Sequence, residues 1–199
     1  AEAVPAAAML RAKQTLVDFC GVAIAGASEP VSKLITGFVG RAAGTGTSTM
    51  IGTHLSVGAL DAALANATTG HALDFDDSNF VLGGHPSVTL WPALLALAEQ
   101  NGATGQKTLD AYVVGFEVLI RMARIVNFHH YEKGWHPTAT LGTFGVAAGA
   151  ARLLGLSAEQ NAHALGLAAS LASGIKQNFG TMAKPIQVGH AAQKGLMAA

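Results

Sequence analysis

Between Gly70 and Pro86 the chain reads Gly70-His71-Ala72-Leu73-Asp74-Phe75-Asp76-Asp77-Ser78-Asn79, then a short glycine-rich run to His85-Pro86. Three carboxylates fall within four residues, and a histidine closes each end. Carboxylates this close repel one another, so the fold must use or solvate them. Only 12% of the chain is Asp, Glu, Lys or Arg, about half the usual ~25%. Carboxylates and imidazoles so placed could transfer protons, orient one another or hold a cation.

A second pattern recurs along the chain. His85-Pro86, His136-Pro137 and Lys184-Pro185 each set a basic side chain just before a proline. Proline starts helices well, because its missing N–H is not needed there. Each pair therefore predicts a basic residue at a helix N-terminus, where free N–H groups and partial positive charge suit an anion. The same field disfavours a charged imidazole, so a histidine there is expected to stay neutral and serve as a base or hydrogen-bond partner. A single His-Pro at a loop–helix junction is more often structural. Three such pairs beside an acidic cluster, in a chain this poor in charge, tip the balance towards function. His54, His129, His130 and His163 carry no such signal. His71 is left open because it borders the acids, and Asp76 and Asp77 could cap a helix or be solvated.

The acidic run loosely fits the DxDx(T/V) phosphatase pattern. That pattern needs a buried strand ahead of it, and Ala67-Thr68-Thr69-Gly70 is not one. It also loosely fits the aspartate-rich magnesium motif of helical terpene synthases, which needs an aromatic cavity, and aromatics are 6% here. A Mg²⁺ or Ca²⁺ site is a minor alternative.

With 199 residues, of which 50% are hydrophobic and 24 are glycine, the chain suits one domain or part of one. Twelve basic and twelve acidic residues cancel, and no basic patch points to nucleic acid. Mean hydropathy is +0.37, but the longest uncharged runs, Pro137–Ala151 and Asn161–Ile175, fall short of the roughly 20 residues a membrane span needs. No signal-peptide pattern is visible. The single Cys20 reads as a small buried hydrophobe, and the expected compartment is the cytoplasm or an organelle matrix. The chain starts at Ala1 and stops in what reads as mid-helix at Gly195–Ala199, so a piece of a longer protein is expected.

Helical periodicity dominates. Helices are predicted over Met9–Ala25, Val31–Val39, Ser56–Thr69, Pro86 to about Gln100, Thr108–Asn127 and Thr138–Leu154, with a last one after Pro185. Ser157 and Gln160 form a capping box for another. Thr49–Gly52 is a possible short strand. Phe128–Trp135 and Gly174–Lys184 read as loops. Gly44 and Gly46 do not complete a dinucleotide fingerprint. Gly142, Gly145 and Gly149 lie near one helix face and invite close helix packing. The expected fold class is all-α.

These blocks together resemble the MmgE/PrpD family, whose members include 2-methylcitrate dehydratase, cis-aconitate decarboxylase and iminodisuccinate epimerase. The likeness rests on Leu16-Val17-Asp18-Phe19 through Gly26, Asn66 through His71, Leu73-Asp74-Phe75-Asp76-Asp77-Ser78, His85-Pro86-Ser87, Gly134-Trp135-His136-Pro137-Thr138, and Gly180-Thr181-Met182-Ala183-Lys184-Pro185 with Gly189. The resemblance implies that residues 1–199 are part of the all-helical domain, with the family's α/β lid domain absent from this chain. It further implies a homodimer and no metal or organic cofactor. The implied function is a lyase acting on a small di- or tricarboxylate. Dehydration of a 2-methylcitrate-like hydroxy acid is the main expectation, and decarboxylation of the cis-aconitate type or epimerisation the alternative; a non-catalytic helical binding protein is the reading from another class. The family's site positions fall on Asp74, His85, His136 and Lys184 as catalytic residues, with Ser78 and Lys184 binding the carboxylate. Gln187 stands where many members have histidine.

Overall fold

The computed structural model describes residues 4–42 and 44–199. Among them run nine α-helices: α1 (Ala6–Gly26), α2 (Pro30–Ala42), α3 (Ala59–Gly70), α4 (Ser87–Asn101), α5 (Gly105–Val126), α6 (His129–Glu132), α7 (Pro137–Leu154), α8 (Ala158–Leu171) and α9 (Ala183–Ala198). The only sheet among the described residues pairs β1 (Ser48–Thr49) antiparallel with β2 (Ser56–Val57). The all-α class read from the sequence is the class found. None of the described helices is long and apolar enough to cross a membrane.

Helices α3, α4 and α7 form the inside of the bundle. Their sequences are apolar or small on nearly every face, and most residues of each are buried. A helix of that composition has to be enclosed. Amphipathic α5 covers α7 on one side, while α9 packs across both α3 and α7. The main core joins Phe19 and Ala23 of α1 to Leu64 of α3, Leu90, Trp91 and Leu94 of α4, and Val188 of α9. Cys20 is partly buried against that core.

Small residues set how closely these helices approach. The glycine face of α7 splits: Gly145 and Gly149 meet α5, whereas Gly142 meets Thr89 of α4. On α9, a Cβ at Gly189 would lie 2.6 Å from the Leu64 carbonyl oxygen of α3. The seating of α9 on α3 therefore requires glycine there, and that seating carries Lys184 to the end of α3.

Local differences from the sequence reading have tertiary causes. The strand lies at Ser48–Thr49 rather than Thr49–Gly52. Ser48 Oγ donates to the Ala96 carbonyl at 2.7 Å, and the Glu99 carboxylate accepts from the Thr49 amide at 2.6 Å and from its hydroxyl at 2.9 Å. That capture by α4 pulls Ser56–Val57 into β2, so α3 starts at Ala59 and not Ser56. The Phe128–Trp135 segment contains the one-turn α6, and a single 3₁₀ turn occupies Lys176–Asn178. Helix α9 begins at Ala183, so Lys184 and Pro185 lie inside its first turn, where proline is tolerated. The Ser157–Gln160 capping box is present at the start of α8.

Replacing Gly189 with Ala should destabilise the chain by about 1–3 kcal/mol, the cost of forcing a methyl into packed backbone. Gly166 on exposed α8 has nothing within 4 Å of a Cβ, so Gly166→Ala should stabilise by roughly 0.5–1 kcal/mol. Urea unfolding of the two variants against the parent checks the contrast.

Candidate functional site

The loop joining α3 to α4 folds back on itself, with a bridge between Asn79 and Gly84. Asp74 adopts φ +58, the only non-glycine residue with positive φ among those described. Aspartate tolerates that conformation better than most side chains. The amide of His85 donates to Thr138 Oγ1 at 3.0 Å, which ties the start of α4 to the start of α7. The amide of His136 donates to the Gly174 carbonyl at 3.1 Å, and that of Lys176 to the Gly134 carbonyl at 2.8 Å, so the segment leading to α9 is fixed at the same place. Three helix N-termini are thereby gathered, each with its basic residue: His85 just ahead of α4, His136 as the N-cap of α7, and Lys184 in the first turn of α9.

Asp74 is where they meet. Its Oδ1 lies 2.6 Å from Lys184 Nζ, 3.4 Å from His85 Nε2 and 3.8 Å from His71 Nε2. The His71 ring lies 4.9 Å from that of His85 and 6.1 Å from that of His136, centre to centre. Asp74, His85, His136 and Lys184, scattered over more than a hundred positions of sequence, thus share one site. A cavity of about 630 Å³ opens on His71, Asp74, Thr181, Lys184 and Pro185, with Glu29 on its rim. A smaller one of about 160 Å³ is lined by His85, Tyr131, His136 and Thr138. Phe179 and Lys184 belong to the walls of both.

The electrostatics follow from burial and pairing. Partial burial opposes ionisation of Asp74, but the hydrogen bond and charge of Lys184, with His71 and His85 beside it, outweigh that and hold the carboxyl below its usual range. Burial pushes His136 down to about 4, and nearby His71, Lys184 and His85 push the same way against a partial offset from Gln187. His136 is therefore neutral near pH 7, as expected, but desolvation rather than the helix field is the main cause. Gln187 Nε2 donates to the Ile175 carbonyl at 3.2 Å, leaving its Oε1 to accept from His136 Nδ1 at 2.9 Å. That assigns the proton to Nδ1 and leaves the Nε2 lone pair free.

The acidic run divides its labour. Asp77 caps α4: its carboxylate accepts from the Ser87 amide at 3.1 Å and the Ser87 hydroxyl at 2.6 Å. Burial raises Asp77, and those bonds offset it in part. Asp76 turns inward, is 6% exposed, and meets both His71 and His85. Ser78, expected to bind a carboxylate, is exposed and lines a separate cavity with Arg11, Tyr112 and Glu117. The chain has by then passed around the capped end of α4 towards α1 and α5, so Ser78 is not gathered with the other four.

Sequence reasoning gave Gln187 no role, read Asp76 as a helix cap or a solvated acid, and left His71 open. The spacing of Lys184 and Gln187, three apart on one helix face, was a usable signal. Nothing local marks which acid of the run turns inward. His71, Asp74, Asp76 and His85 bring one possible ligand atom each within 4.8 Å, a composition that would suit a cation. Lys184 already supplies a full positive charge at that point.

A family model described as the MmgE/PrpD N-terminal domain matches residues 1–199. Among curated proteins, the cis-aconitate decarboxylase of Mus musculus is 32% identical over 197 residues, which is 94% of this chain and 40% of that protein. The cis-aconitate decarboxylase of Homo sapiens is 38% identical over 145 residues, 69% of this chain and 30% of that protein. The one from Aspergillus terreus is 30% identical over 201 residues, 98% of this chain and 41% of that protein. The chain spans well under half the length of these relatives.

Stability should depend on His136 with a definite sign. Its folded pKa is depressed, so the unfolded state binds the proton first and stability is lost as pH falls from the unfolded value towards about 4. The loss from this group should reach about 3 kcal/mol. His130 and His190 are also pushed down by burial and act in the same direction. Unfolding curves between pH 7 and pH 4 should therefore be shallower, but not flat, in His136→Gln.

Proposed function

This chain belongs to the MmgE/PrpD family, and from that premise we propose that it supplies the helical wall of a lyase site for a small di- or tricarboxylate, with decarboxylation of a cis-aconitate-like acid as the reaction. One observation carries the reading: three helix N-termini are gathered with Lys184, Asp74, His85 and His136 around two cavities that share Phe179 and Lys184, in a chain with few other charges. Such a site favours a molecule bearing several carboxylates over a neutral or cationic one. The curated relatives' names favour decarboxylation over the dehydration of a 2-methylcitrate-like hydroxy acid expected from the sequence.

Decarboxylation of an allylic carboxylate breaks the C–C bond to CO₂. The released pair forms a new double bond, and the old double bond takes up a proton at its far carbon. The site must clamp the carboxylates that remain and deliver that proton. Lys184 suits the clamp once it leaves Asp74 for the substrate. His85, when it is protonated at Nε2 as well as at Nδ1, suits the donor. Neutral His136, with Nε2 free, suits a hydrogen-bond acceptor. Dehydration is the second reading, because a neutral base beside a protonatable partner also fits removal of a C–H proton and a hydroxyl. A homodimer, and action without a metal or organic cofactor, belong to the same proposal.

In the full-length protein, cis-aconitate should release CO₂, measured directly, and EDTA should not abolish the release. Lys184→Met should weaken binding of a citrate-like ligand by about 1.5–3 kcal/mol, the scale of one charge-assisted hydrogen bond. His85→Gln should lower turnover more than binding, because it removes the proton donor and keeps a hydrogen-bonding side chain. Dehydration of 2-methylcitrate without CO₂ from cis-aconitate would overturn the decarboxylase reading in favour of the second.

A further inference from the structure

Asp76 makes two different bonds to two different histidines. Both carboxylate oxygens lie against His71 Nδ1, at 2.9 and 2.8 Å. Its backbone carbonyl lies 3.1 Å from His85 Nδ1 and makes the hydrogen bond there, with the carboxylate Oδ2 slightly farther at 3.3 Å. A carboxylate and a carbonyl can only accept, so both Nδ1 atoms carry the proton. The two Nε2 atoms then point the same way, at 3.8 and 3.4 Å from one oxygen of Asp74. His71 is 2% exposed, and its Nε2 is buried without a hydrogen-bond partner. A buried unpaired nitrogen beside a buried carboxylate is a burden on stability that an apolar pair would not carry.

We propose that Asp76 is a positioning residue for this site and that His71 is the buried partner through which its carboxylate acts. The carboxylate sets the tautomer of His71 and the carbonyl sets that of His85, so both imidazoles face Asp74 with Nε2. When Lys184 turns to a substrate carboxylate, Asp74 loses its ammonium partner and these two rings are the groups left to face it. His85 lines the smaller cavity with His136, whereas the His71 side chain is fully enclosed. The proposal rests on the carboxylate-lyase reading for its kinetic consequence only. Other titratable groups facing the set are Asp77 on the same loop, His136 at the start of α7, Lys184 on α9, Tyr131 on α6 and Glu29 ahead of α2.

The test is long-range ¹H–¹⁵N correlation of the imidazoles at a pH where they are neutral. His71 and His85 should both show the Nδ1–H tautomer, while exposed His54 and His129 show the Nε2–H form that imidazole prefers in water. In Asp76→Leu, His71 should lose its Nδ1–H preference and His85 should keep it, because the carbonyl remains. Asp76→Asn retains an acceptor oxygen and should restore the His71 tautomer. In the full-length protein, Asp76→Leu should lower kcat by about tenfold, the low end of the scale for partners that orient metal-bound histidines, with KM changed much less, and Asp76→Asn should recover part of it. A wild-type spectrum with His71 or His85 in the Nε2–H form overturns the proposal, even if the leucine variant does not fold. So does a His71 tautomer unchanged in folded Asp76→Leu. The spectra need no substrate, so a wrong substrate class would leave the tautomer result standing.

Discussion

The ion pair between Lys184 and Asp74 spans 110 residues of sequence at 2.6 Å. Its energy as an isolated, half-exposed pair is small. Its importance is geometric: it forms because α9 packs on α3 and the loop after α3 turns back at Asp74, with the starts of α4 and α7 held beside it. Each condition has its own cause in the chain. Gly189 lets α9 approach α3, the positive φ at Asp74 reverses the loop, and Thr138 joins the two His-Pro ends. The pair also balances charge, placing a cation on the Asp74 carboxylate, whose side chain is 54% exposed.

A second polar network supports this from behind. Asp77 holds Ser87, Ser87 Oγ is 2.7 Å from Tyr112 OH, Tyr112 stacks on Trp91 at 4.1 Å between ring centres, and the Trp91 indole donates to Thr15 at 3.0 Å. The network links the acidic loop to α4, α5 and α1. Burial raises Tyr112 to about 12, so its hydroxyl remains a donor at any working pH. The neighbouring acids thus serve separate ends: Asp74 faces the cavity, Asp76 binds the histidines and Asp77 anchors the loop to the core. Repulsion among them is relieved because each has its own set of donors.

The all-helical class was legible because helix signals are local. Apolar spacing, Gly and Pro punctuation and the Ser157–Gln160 box act within one or two turns, and the observed elements follow them to within a few residues. Where boundaries moved, a distant group had taken over: Ala96 and Glu99 drew Ser48 and Thr49 into a strand. The histidine–proline and lysine–proline pairs were legible for the same local reason, since proline is favoured at or within the first turn of a helix, although Pro92 shows that it can also lie inside one.

By itself the sequence singled out Asp74, His85, His136 and Lys184 as candidates, and placed three of them at helix starts, where the structure has them. Only the tertiary structure decided which neighbours joined them. Asp76 and His71 became buried partners, Gln187 assigned the proton of His136, and Ser78 was carried to another cavity. Residues along the acidic run are alike in type, and no local rule distinguishes an acid that caps a helix from one that binds a histidine. That choice is made by contacts between segments far apart in the chain, at distances fixed by how closely the helices pack.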